Sequence, residues 1–321
     1  MFKILSIDGG GIRGIIPATI LSEIEKRTQK PISSLFNLIA GTSTGGILAL
    51  GMVKPDAHGL PAYTAEKGID LYEKEGSRVF SRDIWHRIHA LDNLADERYS
   101  AEGVESVLED YFGDTRLKEA ITDVIIPSYD IERRTAVFFK SRKAKSDPAD
   151  DYPMKYVGRA TSAAPTYFPP LKLNLGRSDD YYALVDGGVH SNDPAMCAYA
   201  EARAHYPNAD DILLVSLGTG QVTLPFMYEQ AKDWGLLGWA KPLVDIIFDA
   251  MLNTVDYELR QLLEAEGDNR RYYRFQARLE QGGELDNTDP LAIRNLKLVA
   301  EALISDNDKL LDGLCSQLVA K

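Results

Sequence analysis

One recurring alternation constrains this chain more than any other feature: short runs that are almost wholly apolar, several ending in glycine, each followed by a segment of helical period. "KILSI" (3–7) leads into "IIPATILSEIEKRTQ", where Ile16, Ile20, Leu21 and Ile24 make one apolar face and Pro17 suits a first helical turn. "LFNLIAG" leads in the same way into "GGILALGMV", and further runs follow at "DVIIPSYDI" (123–131), "TAVFF" (135–139), "YALVDGG" (182–188) and "DILLVSLGTG" (211–220), with a helix opening at "NDPAMCAYAEARA" (192–204). A strand that is apolar throughout has to be covered on both faces, which a largely parallel sheet between helices achieves. The expected class is therefore α/β, a three-layer sandwich with a central sheet and helices on both sides. Ligands in such sheets bind at the carboxyl ends of strands, and "DGGG", "GTSTGG" and "VDGG" all fall there.

No repeat or low-complexity linker divides the 321 residues, so a single domain is expected, with core motifs in 3–220 and a helical part in 221–321. In that last part "DPLAIRNLKLVAEALISDNDKLLDGLCSQL" reads as two amphipathic helices closing over the core, whereas "KSRKAKSDPADDYP" (140–153) reads as a long exposed loop. From Pro31 to Val53 no charge occurs, but Ser33, Ser34, Asn37, Gly41 and the "GTSTGG" residues interrupt the stretch, which suits a buried strand, turn and helix better than a membrane span. With 36 Lys and Arg against 48 Asp and Glu, the net charge of −12 disfavours a nucleic acid polymer as partner. Cys197 and Cys315 lie far apart, without disulfide or zinc spacing, and "MFKILSIDGGG" lacks the pattern of a secretory signal; a cytoplasmic setting is expected. No metal-ligand cluster and no cofactor motif is indicated.

"GTSTGG" fits G-x-S-x-G, the sharp strand-to-helix turn that pushes a serine hydroxyl into a cleft. Ser43 would stand at the start of the next helix, whose unpaired amides favour nearby negative charge. The alternative is a tight turn with capping hydroxyls. "IDGGGIRG" (7–14) matches G-x-G-x-x-G through Gly9, Gly11 and Gly14, which raises a dinucleotide site, but the next strand ends "LIAGTS" without the acid that would hold a ribose. Glycines ahead of Arg13 instead suit backbone amides turned toward an oxyanion, donors commonly worth about 3 kcal/mol each. "LVDGGVHSNDP" (184–194) places Asp186 at a strand end, as base for Ser43 if burial raises its pKa, or as a turn cap. His190 opens a triad reading, although triad Asp and His usually come from separate loops. His58, His86, His89 and His205 sit in polar or helical contexts and read as surface or packing residues.

In this order, "DGGGIRG", "GTSTG" and "DGG" resemble the patatin-like phospholipase family, and "ATSAAPTYFPP" (160–170) and "SLGTG" (216–220) resemble segments of its compact bacterial members. The resemblance covers roughly residues 3–220. It implies a serine acyl hydrolase working through a Ser-Asp dyad without histidine, with Ser43 as nucleophile and Asp186 as base. It carries the oxyanion hole onto Gly9, Gly10, Gly11 and Gly14, with Arg13 where members carry Arg or Lys. Membrane glycerophospholipids are the implied substrate, with neutral lipids or small esters, or a non-enzymatic nucleotide-binding module, as alternatives. Some bacterial relatives are antiphage effectors switched on by cyclic nucleotides; no nucleotide site is identifiable here, so a cyclic-nucleotide activator stays an option, as does a homo-oligomer.

Two further stretches bear on partners. "LPFMYEQAKDWGLLGWAKPLVDIIFDAML" (224–252) carries Phe226, Met227, Trp234, Trp239, Ile247 and Phe248, and reads either as a segment that touches a bilayer transiently or as core packing. The basic cluster Arg133, Arg134, Lys140, Arg142, Lys143 and Lys145 reads as a solvated hairpin, or as a holder of anionic head groups.

Overall fold

β1 (Phe2–Ile7) is buried at every position but Lys3, and the structure, a computed structural model that describes residues 1–80, 99–176, 180–207, 209–222, 224–263, 270–279 and 283–320, places it deep inside a sheet. Its neighbours are β2 (Leu38–Gly41) and β7 (Ile212–Leu217), both parallel to it. Outside β2 lie β3 (Asp123–Asp130) and β6 (Tyr181–Asp186), then β5 (Leu171–Asn174); β4 (Thr135–Lys140) forms a hairpin with β3. The sheet has eight strands, and β1, β2, β3, β7 and the edge strand β8 (Tyr272–Phe275) run parallel.

Alternation along β1 distributes its side chains between two cores. Leu5 and Ile7 join a large core with α1 (Ile15–Thr28), α2 (Thr44–Val53), α3 (Ala65–Val79), α4 (Glu102–Phe112) and α5 (Met154–Thr161). Phe2 and Ile4 join a smaller one with Ala195, Ala198 and Ala202 of α6 (Ala195–His205) and Leu259 of α7 (Leu236–Leu263). Small alanines let α6 lie close on the sheet. The expected layering, helices on both faces of a mostly parallel sheet, is what the chain adopts.

The register explains how Asp186 arrives at the crevice. β6 is antiparallel to β3 and pairs only with its end, Asp186 opposite Ser128. β2 reaches no further along β3 than its paired Ala40–Ile125 and one residue more, so β3 overshoots it. β6 therefore runs back along that overhang and delivers its carboxyl end beside the turn that follows β2.

Two sequence expectations are corrected here. Residues 140–153 are not one long loop: Ser141–Ser146 is a helical turn with Ser141 and Ala144 buried, because the Ser141 hydroxyl is tied to Asp123 and to the Val124 amide. Nor is 221–321 only helical, since β8 completes the sheet. The two expected terminal helices are present as α8 (Pro290–Asp306) and α9 (Asp308–Val319). Arg27 of α1 holds α9 through Asp308 and Asp312, both at 2.8 Å. Among the described residues no helix is long and apolar enough to cross a membrane.

Candidate active site

Ser43 occupies the turn between β2 and α2 with φ 55° and ψ −124°, a conformation that non-glycine residues rarely adopt. The turn can be this sharp because Gly45 faces the backbone of β1: a Cβ there would strike the Ile7 carbonyl oxygen and lie 2.6 Å from that of Asp8. The Ser43 amide is fixed by Thr161 Oγ1 at 2.9 Å, and the Thr161 hydroxyl donates in turn to the Pro127 carbonyl at 2.6 Å. The strained serine is thus clamped between neighbouring elements, with its hydroxyl in the crevice.

That hydroxyl hydrogen-bonds to the Asp186 carboxylate, whose Oδ1 also accepts from the Gly188 amide at 2.7 Å. Burial pushes the Asp186 carboxyl up to about 7, and these two hydrogen bonds hold it from rising further. A carboxylate poised near neutrality can take a hydroxyl proton far better than one near 4.

The glycine loop lies against the serine, and its members occupy different places. A Cβ on Gly9 would be 3.3 Å from Ser43 Cβ, but the Gly9 amide already donates to the Asn192 carbonyl at 3.0 Å. Among the described residues, the Gly10 and Gly11 amides donate to no protein acceptor. Gly11 has φ +56° and abuts the Leu285 carbonyl, which accepts from Ile12 at 2.9 Å. Gly14 lies behind the loop, against the Thr44–Tyr72 hydroxyl pair at 2.6 Å. Arg13 is half-buried, and among the described residues its buried Nε has no hydrogen-bond partner. Burial lowers its guanidinium to about 10, opposed chiefly by Asp249 and also by Asp8 and Asp245, so it stays charged at neutral pH.

His190 stands apart from this geometry. Its Nε2 meets the Ser128 carbonyl at 3.1 Å and its Nδ1 the Ser191 hydroxyl at 2.7 Å, with Phe138 packed edge-on. Both ring nitrogens are engaged away from Asp186, and burial lowers its pKa. The triad reading is therefore set aside. His58 is in an exposed turn whose Asp56 accepts its amide, and His205 lies 3.8 Å from Glu201; His86 and His89 fall outside the described residues. The basic cluster is largely neutralised: Arg133 pairs with Asp130 and Asp180, Lys140 and Arg142 share Glu201, and Lys145 pairs with Asp123.

Several contributors carried no signal of their own in the sequence. Asp8, just before the glycines, receives a bidentate pair of bonds from Arg274 of β8, at 2.9 and 2.6 Å. Asp193 sits 3.3 Å from the same guanidinium and accepts from the hydroxyls of Ser6 and Ser216, each at 3.1 Å. Burial pulls the Arg274 guanidinium down, but Asp8 and Asp193 more than reverse this, and it stays charged. Thr219 donates to the Gly9 carbonyl at 2.7 Å. Phe248 of α7 packs beside Gly188, next to Asp249 and one turn from Asp245, so α7 flanks the crevice.

A family model described as patatin-like phospholipase matches residues 5–199, well over half of the chain. This chain belongs to the patatin-like phospholipase family. Patatin-like protein 4 of Arabidopsis thaliana is 31% identical to it over 96% of this chain and 84% of its own length. Patatin-like protein 2 from the same plant is 31% identical over 94% and 81%. VipD from Legionella pneumophila aligns with 97% of the chain and 70% of its own at 11% identity and a TM-score of 0.40, too loose a likeness to bear on the site. Membership makes the chain a lipid acyl hydrolase, an enzyme of the carboxylic ester hydrolase class. Arg274 lies beyond the matched residues.

Proposed function

We propose that the chain hydrolyses acyl esters of membrane glycerophospholipids through a Ser43–Asp186 dyad. The observation that carries this is the strained Ser43 turn, with its hydroxyl on a buried Asp186 and glycine amides alongside. As Ser43 Oγ attacks the ester carbonyl, its proton passes to Asp186 and the developing oxyanion lies against the Gly10 and Gly11 amides. The carbon–oxygen bond to the alcohol breaks, and Asp186 returns the proton to the leaving oxygen. Water then gives a proton to Asp186 and attacks the acyl-enzyme; the fatty acid leaves and Ser43 regains its proton. Arg13, charged and beside the loop, adds positive potential.

The surface of α7 supports action at a membrane. Leu236, Trp239, Leu243 and Ile247 recur at a spacing that places them along one side of the helix, and all are exposed, Leu236 at 93%. Trp234 packs edge-on to Trp239 with centroids 5.1 Å apart, and Phe226 caps it at 5.7 Å. An apolar stripe with tryptophan at its end suits a helix lying in the interface, which would make the enzyme peripheral when active. The antiphage role rests on resemblance alone and enters as one arm of the assay.

The test is fatty-acid release from phospholipid liposomes by wild type and Ser43→Ala. Release by wild type alone supports the reading. Release by Ser43→Ala at the wild-type rate would refute it, and preference for triacylglycerol emulsions would move the substrate to neutral lipids. Adding cyclic nucleotides to the same reaction asks whether the enzyme is gated.

A further inference from the structure

Helix α2 is buried nearly all round, as suits a helix packed behind central strands, yet one line along it is not. From the nucleophile to the helix end, the only positions that keep solvent access are Ser43, Ile47, Gly51 and Lys54. Their spacing of four, four and three residues places them in a single stripe. One turn beyond the nucleophile, Ile47 and Gly51 of the stripe line a slot between α2, α3 and α4, together with Leu71, Tyr63 and Tyr111. Gly68 lets α3 approach α2 behind the slot, a Cβ there coming within 3.0 Å of Leu48.

The far end is closed. Lys54 Nζ donates to the Tyr111 carbonyl at 2.5 Å, the Tyr63 hydroxyl donates to the same oxygen at 2.7 Å, and the two tyrosine rings lie 5.5 Å apart. Between nucleophile and stop sits Gly51, and beyond its chain neighbours and the backbone of its own helix no described atom lies within 4 Å of where its Cβ would be. Glycine weakens a helix, and here it serves neither a turn nor a close backbone approach. What it leaves is open space in line with the reacting serine.

We propose that this stripe is the acyl-chain subsite, in which the alkyl chain of the acyl group attacked by Ser43 lies along α2 over Ile47 and Gly51 and ends at Tyr63 and Tyr111. The inference rests on Ser43 being the nucleophile. It goes further in naming where the chain lies and what limits its length. The eleven residue steps from Ser43 to Lys54, along the ten-residue helix they cap, rise about 16 Å, and an extended chain advances about 3.5 Å for every three backbone bonds, so a chain of roughly C12 to C14 fits. The slot is narrow as it stands, about 20 Å³, so the chain enters by displacing the half-buried Ile47 and Leu71 side chains.

The experiment measures kcat/KM on p-nitrophenyl esters from C4 to C16 for wild type, Gly51→Phe and Gly313→Phe. Gly313 of α9 also has open space around it and lies on another helix, so it controls for adding a ring to a helix. The expected result is a wild-type optimum near C12 to C14, and a C12-to-C4 ratio that drops at least about 10-fold in Gly51→Phe, the burial of two methylenes. In Gly313→Phe the ratio stays at the wild-type value. A ratio within 2-fold of wild type in Gly51→Phe overturns the proposal, whether both esters slow together or neither does. A C4 activity that survives Ser43→Ala overturns the nucleophile assignment beneath it, which is a separate failure.

Discussion

Arg274→Met is the most informative single change, because it removes one cation and strands two buried carboxylates. The Arg274 side chain is 7% exposed and those of Asp8 and Asp193 are 1% and 0%, so water cannot take its place. Removing one partner of a buried pair typically costs about 3–5 kcal/mol, far more than a surface pair is worth. For 321 residues, an unfolding entropy of about 2.1 cal/mol/K per residue gives about 0.7 kcal/mol/K, so about 4 kcal/mol lowers Tm by about 6 °C. The cost has a pH signature. Burial already raises Asp8 to about 7 with Arg274 beside it, and without that cation its folded pKa lies higher still, so the folded state binds more protons than the unfolded one. Stability is then retained at low pH and lost as pH rises through that folded pKa. The deficit of the variant relative to wild type should therefore be larger at pH 8 than at pH 5, and Asp8→Asn added to Arg274→Met should return part of it. Urea unfolding of the three proteins at both pH values measures this. A loss below about 1 kcal/mol at pH 8, or one identical at both pH values, would refute the argument that a desolvated charge pair braces the glycine loop.

Four other outcomes follow from the same geometry. Because Asp186 must be ionised to act as base and burial raises it to about 7, kcat/KM on a soluble ester should fall about tenfold per unit below pH 7; a flat profile between pH 5 and 8 would exclude it as the base. The same raised value makes Asp186 cost stability as pH climbs from about 4 to about 7, so Asp186→Asn should gain on wild type in thermal stability over that interval while losing hydrolysis. Gly45→Ala should lose about 1–3 kcal/mol or more through collision with the Ile7 carbonyl, read as a lowered urea midpoint; an unchanged midpoint would mean that the turn is looser than described. Replacing Trp234 and Trp239 by Ser should weaken liposome sedimentation more than soluble-ester turnover, and equal losses in both would assign these rings to packing instead.

The layering and the Ser43 turn were legible because they are local: an apolar run, a glycine-flanked serine and a helical period fall within about 14 consecutive residues. Asp186 was legible as a residue but its approach was not, since strand direction depends on which neighbour a strand pairs with, and β6 pairs antiparallel with the overhang of β3. His190 was ambiguous because a sequence cannot say which way a ring turns, and its nitrogens are taken by Ser128 and Ser191. Arg274 was invisible: in "YYRF" it reads as one more charge near a strand, and only the fold brings it to Asp8. The exposed stripe on α2 was equally hidden, because a helix with apolar residues all round shows no amphipathic pattern until its neighbours are in place.

The ion pair between residues 8 and 274 also sets an order of events during synthesis. At about 5–20 residues per second, the ribosome takes roughly 13 to 53 s to add the intervening 266 residues, and for that interval the aspartate preceding the glycine loop lacks its Arg274 partner. A nascent chain that has already emerged with its serine, its glycines and its second carboxylate is therefore still without the brace beneath them. A product cut short after residue 220 would carry every recognisable motif and lack this brace. If the proposed Ser43–Asp186 chemistry needs this brace, hydrolysis has to wait until Arg274 has been added.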